Sequence, residues 1–253
     1  MEISNTTVSD AQPQTTMKAK LHEMLTRAQS EFETFVGGLS DEERATIGEK
    51  TRWSAKDNLA HMAYWLRHTN EVFAALRNGT ELPADDENFQ PINERVFAEW
   101  RDRPWAEVIA EARGAYVQLI ADVADSTEEE LTDPEHFPQL SDGPLSRRVL
   151  GSAVGHPAEH YSQFYLEHGK LERATETQTQ LVAAIHTVFG MSEEYGDAMY
   201  NLGCFYAKTG QSDAAIDALR QSFPLHTWLI EWSRHDSDLD SIRDLSAFQA
   251  LYP

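Results

Sequence analysis

Residues 52–61 read Arg-Trp-Ser-Ala-Lys-Asp-Asn-Leu-Ala-His, and residues 156–161 read His-Pro-Ala-Glu-His-Tyr. In the first stretch Ser54 is followed three residues later by Asp57, a capping box with Asp in place of the usual Glu, so a helix opens there. It continues through NLAHMAYWLRHTNEVFAALR to Asn78-Gly79, where glycine ends it. In the second stretch His156 and His160 stand at i and i+4, which puts both imidazoles on one helical face. Pro157 between them suits a first turn better than a helix interior, so a kink or a late helix start is expected near His156.

Outward from these two segments the helical period persists. Met17, Leu21, Met24, Leu25, Ala28, Phe32 and Phe35 recur at three- and four-residue steps, which predicts a helix from Met17 to Val36 ended by Gly37-Gly38. A loop with Pro83 and Pro91 follows, then a short helix from Asn93 to Trp100. Pro104 stands in the first turn of a third long helix reaching Val123. Residues 132–144 are a proline-rich loop, and a fourth long helix runs from Leu145 to His168. Four long helices and no period-two alternation predict an all-α chain with a four-helix bundle over residues 17–170.

After Gly169 the pattern changes. A helix is expected over 174–189, followed by DAMYNLGCFYAKTGQSDAAIDALRQSF, in which Leu202, Gly203, Tyr206, Gly210, Ala215 and Leu219 resemble one tetratricopeptide repeat, from Glu194 to Thr227. Met199 stands at the usual tryptophan position. Gly203 allows close approach of two helices and Gly210 the turn between them. Residues 238–252 resemble the ending of such repeat proteins. A single repeat cannot bury its own faces, so this α-helical module, 174–253, must pack on its neighbours.

Composition narrows the function. Among 253 residues, 42 are acidic and 21 basic, a net charge of −21, which repels phosphate backbones and anionic lipid heads. Arg95, Arg101 and Arg103 are interspersed with Glu94, Glu99 and Asp102, a mixed solvated surface rather than a nucleic-acid groove. Cys204 is the sole cysteine, so no internal disulfide or cysteine-cluster metal site exists, and it reads as a buried structural thiol. Residues 1–16 are rich in Ser, Thr and Gln and contain no apolar leader segment, and no apolar run reaches the ~18 residues of a membrane span. The expectation is a cytoplasmic protein with no membrane contact and a disordered extension at 1–16. No phosphate loop, nucleophile elbow or dinucleotide fingerprint occurs. Trp228 and Trp232 are expected to pack the C-terminal helices.

His156 and His160, joined by His61 from a facing helix, offer three imidazoles to one metal ion and leave a position open for water or substrate. A His-x-x-x-His pair also arises by chance, and a histidine beside Tyr64 and Trp65 is more often a hydrogen-bonded core residue than a ligand, so the residues alone do not establish a metal site.

The order of these elements resembles the DinB/YfiT-like superfamily. Trp53, the Ser54 cap and Leu59-Ala60-His61 match its second helix, and the histidine pair matches its last. The stretch from Pro91-Ile-Asn-Glu-Arg-Val-Phe to Arg103-Pro104, with Glu159-His160-Tyr161, resembles the ClbS/DfsB branch. The resemblance implies a four-helix bundle, often homodimeric, holding a divalent metal (zinc, nickel or iron) on His61, His156 and His160. It implies action on small electrophiles by metal-activated water or thiol; the branch includes a self-resistance protein that opens a cyclopropane. Glu159 is then a candidate base or outer-sphere group, and Tyr64 and His68 are candidate pocket residues. Two other expectations are a non-catalytic sequestering protein and a dimeric scaffold that recruits a protein partner through its C-terminal helices.

Overall fold

A computed structural model describes residues 15–84, 89–140 and 143–252. The expected extension at 1–16 lies outside the described residues except for Thr15 and Thr16. Among the described residues all regular structure is helical, with one isolated backbone bridge between Glu49 and Arg52. The fold is all-α.

Helix α1 (Met17–Gly38) starts at Thr16, whose side chain accepts a hydrogen bond from the Ala19 amide, and buries Leu21, Leu25, Ala28, Phe32 and Phe35. Helix α3 (Ala55–Asn78) opens on the Ser54–Asp57 capping box and ends at Gly79 with φ of 62°. Its predecessor α2 (Asp41–Ala45) and, later, α6 (Glu128–Thr132) are short helices absent from the sequence expectation. Five residues show no hydrophobic period; their signal lies in the capping boxes Ser40–Glu43 and Thr127–Glu130. Helix α4 (Phe89–Trp100) begins before the expected Asn93, with Pro91 tolerated in its first turn. Helix α5 (Trp105–Asp125) follows Pro104.

The fourth long helix is composite. Helix α7 (Leu145–Leu150) passes through a π-helical turn (Gly151–Gly155) into α8 (His156–Glu167). Together α1, α3, α5 and α7–α8 surround a core that includes Phe32, Leu59, Leu66, Tyr116, Leu119 and Val149. Polar ties fix their register: Arg113 on α5 donates to both oxygens of Glu33 on α1 at 2.5 and 2.6 Å. Arg77 on α3 pairs at 2.5 Å with the buried carboxylate of Asp122 on α5.

Helices α9 (Leu171–Phe189), α10 (Glu193–Lys208), α11 (Ser212–Ser222), α12 (Trp228–Ser233) and α13 (Ser246–Gln249) complete the chain. The hydrophobic core runs on from the bundle through Ala174, Val182 and Ile185 of α9 into Leu202 and Phe205 of α10. A second cluster gathers Tyr200, Leu219, Phe223, Leu239, Ile242 and Phe248. Helices α10 and α11 form a hairpin whose turn uses Gly210 at φ 76°. A Cβ on Gly203 would stand 2.9 Å from Leu219 Cγ, so only glycine allows this approach. Trp228 and Trp232 do not pack as expected. They stack on each other, ring centroids 5.4 Å apart, and are 60% and 52% exposed. In a six-residue helix that buries Leu229 and Ser233, positions i and i+4 on the opposite face are left to solvent. No described helix is long and apolar enough to cross a membrane.

Two outcomes follow from this packing. Gly48 is buried against the start of α3, where a Cβ would collide with the Asp57 carboxylate and lie 2.5 Å from the Ser54 amide nitrogen. Gly48→Ala is expected to break the capping box and lower stability by about 1–3 kcal/mol, read as a lower urea midpoint at unchanged slope. An unchanged midpoint would contradict the tight contact. The second concerns Glu43, which pairs with Lys170 at 2.7 Å across the end of the bundle. Burial raises its pKa, but hydrogen bonds from Lys170 and Ser40 outweigh this and hold it at about 2 against an ordinary 4.5. The folded pKa is depressed, so the contribution is present above pH 4.5 and lost as pH falls towards 2. Acid titration of stability over that window should separate wild type from Glu43→Gln by on the order of 1 kcal/mol, screening by solvent included.

Candidate metal centre

Local chain chemistry explains how His156 and His160 are placed. Pro157 has no amide hydrogen, so the carbonyl of Ala153, four residues earlier, cannot receive its usual helical bond, and the proline ring would press on it. The π turn widens the helix at this point: the His156 amide reaches back five residues to the Gly151 carbonyl. The Ala153 carbonyl instead accepts a hydrogen bond at 3.2 Å from the hydroxyl of Tyr116, a fully buried residue of α5. The expected irregularity at Pro157 is therefore a π turn within a continuous helix, and α8 starts at His156.

The three imidazoles meet. His61 Nε2 lies 2.9 Å from His156 Nε2, which lies 3.0 Å from His160 Nε2. All three ligand atoms fall within 4.8 Å of one another. Burial, the largest cause, lowers the pKa of each ring: His61 to about 2, His156 to about 3 and His160 to about 4, with neighbouring imidazoles adding to the effect on His61 and His156. At neutral pH the rings are uncharged and offer lone pairs.

Tautomers can be read from the surrounding bonds. Asn58, one turn before His61, donates its Nδ2 to the Ser54 carbonyl at 3.0 Å. Its Oδ1 is thereby turned to accept the His160 Nδ1 proton at 2.9 Å, which leaves His160 Nε2 bare. His61 Nδ1 is buried without a hydrogen-bond partner, as is Oδ1 of Asn93, the α4 side chain that faces it. A lone proton on His156 Nε2 would have to serve both neighbouring nitrogens. Three bare Nε2 atoms around a cation resolve this, with protons on Nδ1 turned to Asn58 and Asn93 in the usual outer-sphere pattern of metal-bound histidine. Tetrahedral zinc with Zn–N near 2.05 Å sets ligand nitrogens about 3.3 Å apart, close to the spacing seen. The donor set fits a divalent ion.

The cluster opens into a cavity of about 530 Å³ walled by Trp53, Trp65 and Phe89. Trp53 lies nearly parallel to His160 at 6.0 Å and tilted against His61 at 4.9 Å. Glu159 stands at the mouth. Its side chain reaches solvent, yet enough protein surrounds the carboxylate that desolvation raises its pKa, opposed by the charge of Lys208. Tyr64 is not among the residues lining this cavity. Its hydroxyl accepts from Arg95 at 3.1 Å and its ring lies parallel to that of His68, on a neighbouring face of α3. Cys204 is buried, its thiol donating to Asp236 at 3.7 Å.

Asn58, Asn93 and Tyr116 escaped the sequence reading. For Asn58 a signal existed, since it precedes His61 by three residues and so shares its helical face. Asn93 and Tyr116 arrive from other helices, and their roles depend on packing alone.

Against known proteins, the family model of the DinB superfamily matches residues 24–164, more than half of the chain. The chain belongs to the DinB superfamily. No curated protein and no solved structure is matched. Members of this superfamily typically bind metal, in keeping with the three close histidines of this DinB chain.

Tyr116→Phe keeps the ring and removes only the hydroxyl that serves the Ala153 carbonyl. Urea unfolding is expected to show a loss of about 1–3 kcal/mol, the cost of a buried unsatisfied carbonyl. A loss below ~0.5 kcal/mol would mean that this bond does not hold the π turn.

Proposed function

We propose that this DinB protein is an enzyme that holds one divalent ion on His61, His156 and His160 and modifies a small, largely apolar electrophile. The observation that carries the reading is the meeting of three neutral imidazoles at one point, with Nδ1 of His160 held by Asn58. A bound divalent ion would supply a nucleophile at neutral pH by lowering the pKa of water from ~16 towards ~7, or that of a thiol correspondingly.

The protein's own groups do the rest. Trp53, Trp65 and Phe89 bind the apolar body of the substrate and keep bulk water from the imidazoles. Asn58 keeps His160 in the tautomer whose Nε2 faces inward. Glu159, at the cavity mouth beside the histidine pair, accepts the proton released when the nucleophile forms. The finer resemblance to the ClbS/DfsB branch, carried by residues 91–104 and 159–161, supports a strained ring such as a cyclopropane or epoxide as the electrophile. The helical module of 174–253, with its tetratricopeptide-like hairpin, closes one side of the site.

Protein purified without a histidine tag should contain about one divalent ion per chain by elemental analysis, with three nitrogen ligands sufficient for tight retention. His61→Ala and His156→Ala should lose it while the helical circular dichroism persists. Asn58→Ala should bind it about 10–100-fold more weakly. Styrene oxide turnover, by water or added thiol, should disappear with the metal. Wild-type protein without metal would overturn the reading; thermal protection by the epoxide without product would favour sequestration.

A further inference from the structure

A second cavity, of about 430 Å³, shares Glu159 and His160 with the aromatic one but lies between α8 and the C-terminal helices. Its walls are mixed, with Leu166, Phe205 and Trp232 beside polar and charged side chains. Gln178 on α9 faces it, is only 6% exposed, and its carboxamide has no hydrogen-bond partner among the described residues. The rest of the side chain is packed away while the carboxamide stays open to the cavity, so it offers whatever enters one acceptor and two donors.

Asp236, across the cavity, supplies the second determinant. Tyr200 donates to its Oδ2 at 2.7 Å and the Cys204 thiol at 3.7 Å, while the Asp238 amide donates to Oδ1 at 3.0 Å. The carboxylate is thus held in one orientation by neutral donors. The nearby cations are held by other groups, Lys208 by the Asp238 carboxylate at 2.8 Å and Arg243 by the Asp236 carbonyl at 2.6 Å, and no Lys or Arg side chain pairs with the Asp236 carboxylate among the described residues. Trp232 adds an aromatic wall beside it. An oriented carboxylate without a direct ion-pair partner and with a ring at its side is a site for an ammonium group.

We propose that this cavity binds a small primary amine that also carries an amide-like polar group, the ammonium on Asp236 and the polar group on Gln178. Such a molecule lies next to His160 and Glu159, so the cavity admits a second, cationic substrate from the side opposite the apolar one. This role in the reaction rests on the reading above, but the binding does not. Polyanionic co-substrates are repelled by the same carboxylate.

The probes are glycinamide, β-alaninamide and γ-aminobutyramide, which vary the span, each set against its neutral counterpart acetamide, propionamide or butyramide. Titrations are followed by ¹H–¹⁵N spectra that include the Gln178 side-chain NH₂, on metal-free and zinc-loaded protein. At least one amine should bind with Kd on the order of 1–10 mM, as expected for so few atoms, and shift Gln178 and the Asp236 amide. The neutral counterpart, Gln178→Met and Asp236→Asn should each weaken binding about tenfold or more. Absence of shifts at Gln178 with all three amines, or equal binding of amine and neutral amide to wild type, would overturn the proposal. Amine binding to a protein that takes up no zinc leaves this inference standing and removes the metal reading; zinc uptake without amine binding does the reverse.

Discussion

Three uncharged imidazoles pressed together inside the protein are the constraint on which the rest of this structure depends. In water each ring would satisfy two hydrogen-bonding positions; here burial has removed that solvent and depressed every ring's affinity for protons. Protonation is not a way out, because neighbouring cations would repel in a poorly solvated space. Nor do hydrogen bonds among the rings suffice, since Asn58 already fixes the proton of His160 on the outer nitrogen. What remains is a cluster of lone pairs whose natural complement is a cation.

Much of the surrounding architecture serves that cluster. The capping box at Ser54 starts α3 and also presents the carbonyl that orients Asn58, so a helix-start signal in sequence acts on the tautomer of a histidine on another helix. The π turn accommodates Pro157, and Tyr116 satisfies the carbonyl this proline leaves open. These two features set the phase of α8, on which His156 and His160 stand one turn apart. The aromatic side chains Trp53 and Trp65 then enclose the rings and give the cavity its apolar character.

The long helices were legible because each buries a stripe at the helical period, and because Ser54, Gly79 and Gly169 punctuate them. The histidine pair was legible for the same reason, spacing on one face. The short helices α2 and α6 were not, since they bury little and speak only through capping residues. Trp228 and Trp232 misled because bulk and apolarity suggest burial, whereas a helix of six residues has one inner face and theirs is the other. Tyr64, three residues after His61, stands on a face of α3 turned towards Arg95, a placement that sequence proximity alone does not fix. Tertiary partners such as Asn93, Tyr116 and Gln178 have no local signature, since their meaning arises only when separate helices meet.

The continuous core between bundle and C-terminal helices adds a further point. Ala174, Val182 and Ile185 of α9 share the bundle's core, so the later helices form a wall beside the histidine cluster. The account is tested most directly by X-ray absorption at the zinc edge of the zinc-loaded protein. It calls for three imidazole ligands with Zn–N near ~2.0–2.1 Å and one exchangeable oxygen neighbour. A spectrum fitted by oxygen ligands alone, or by a single imidazole, would contradict it.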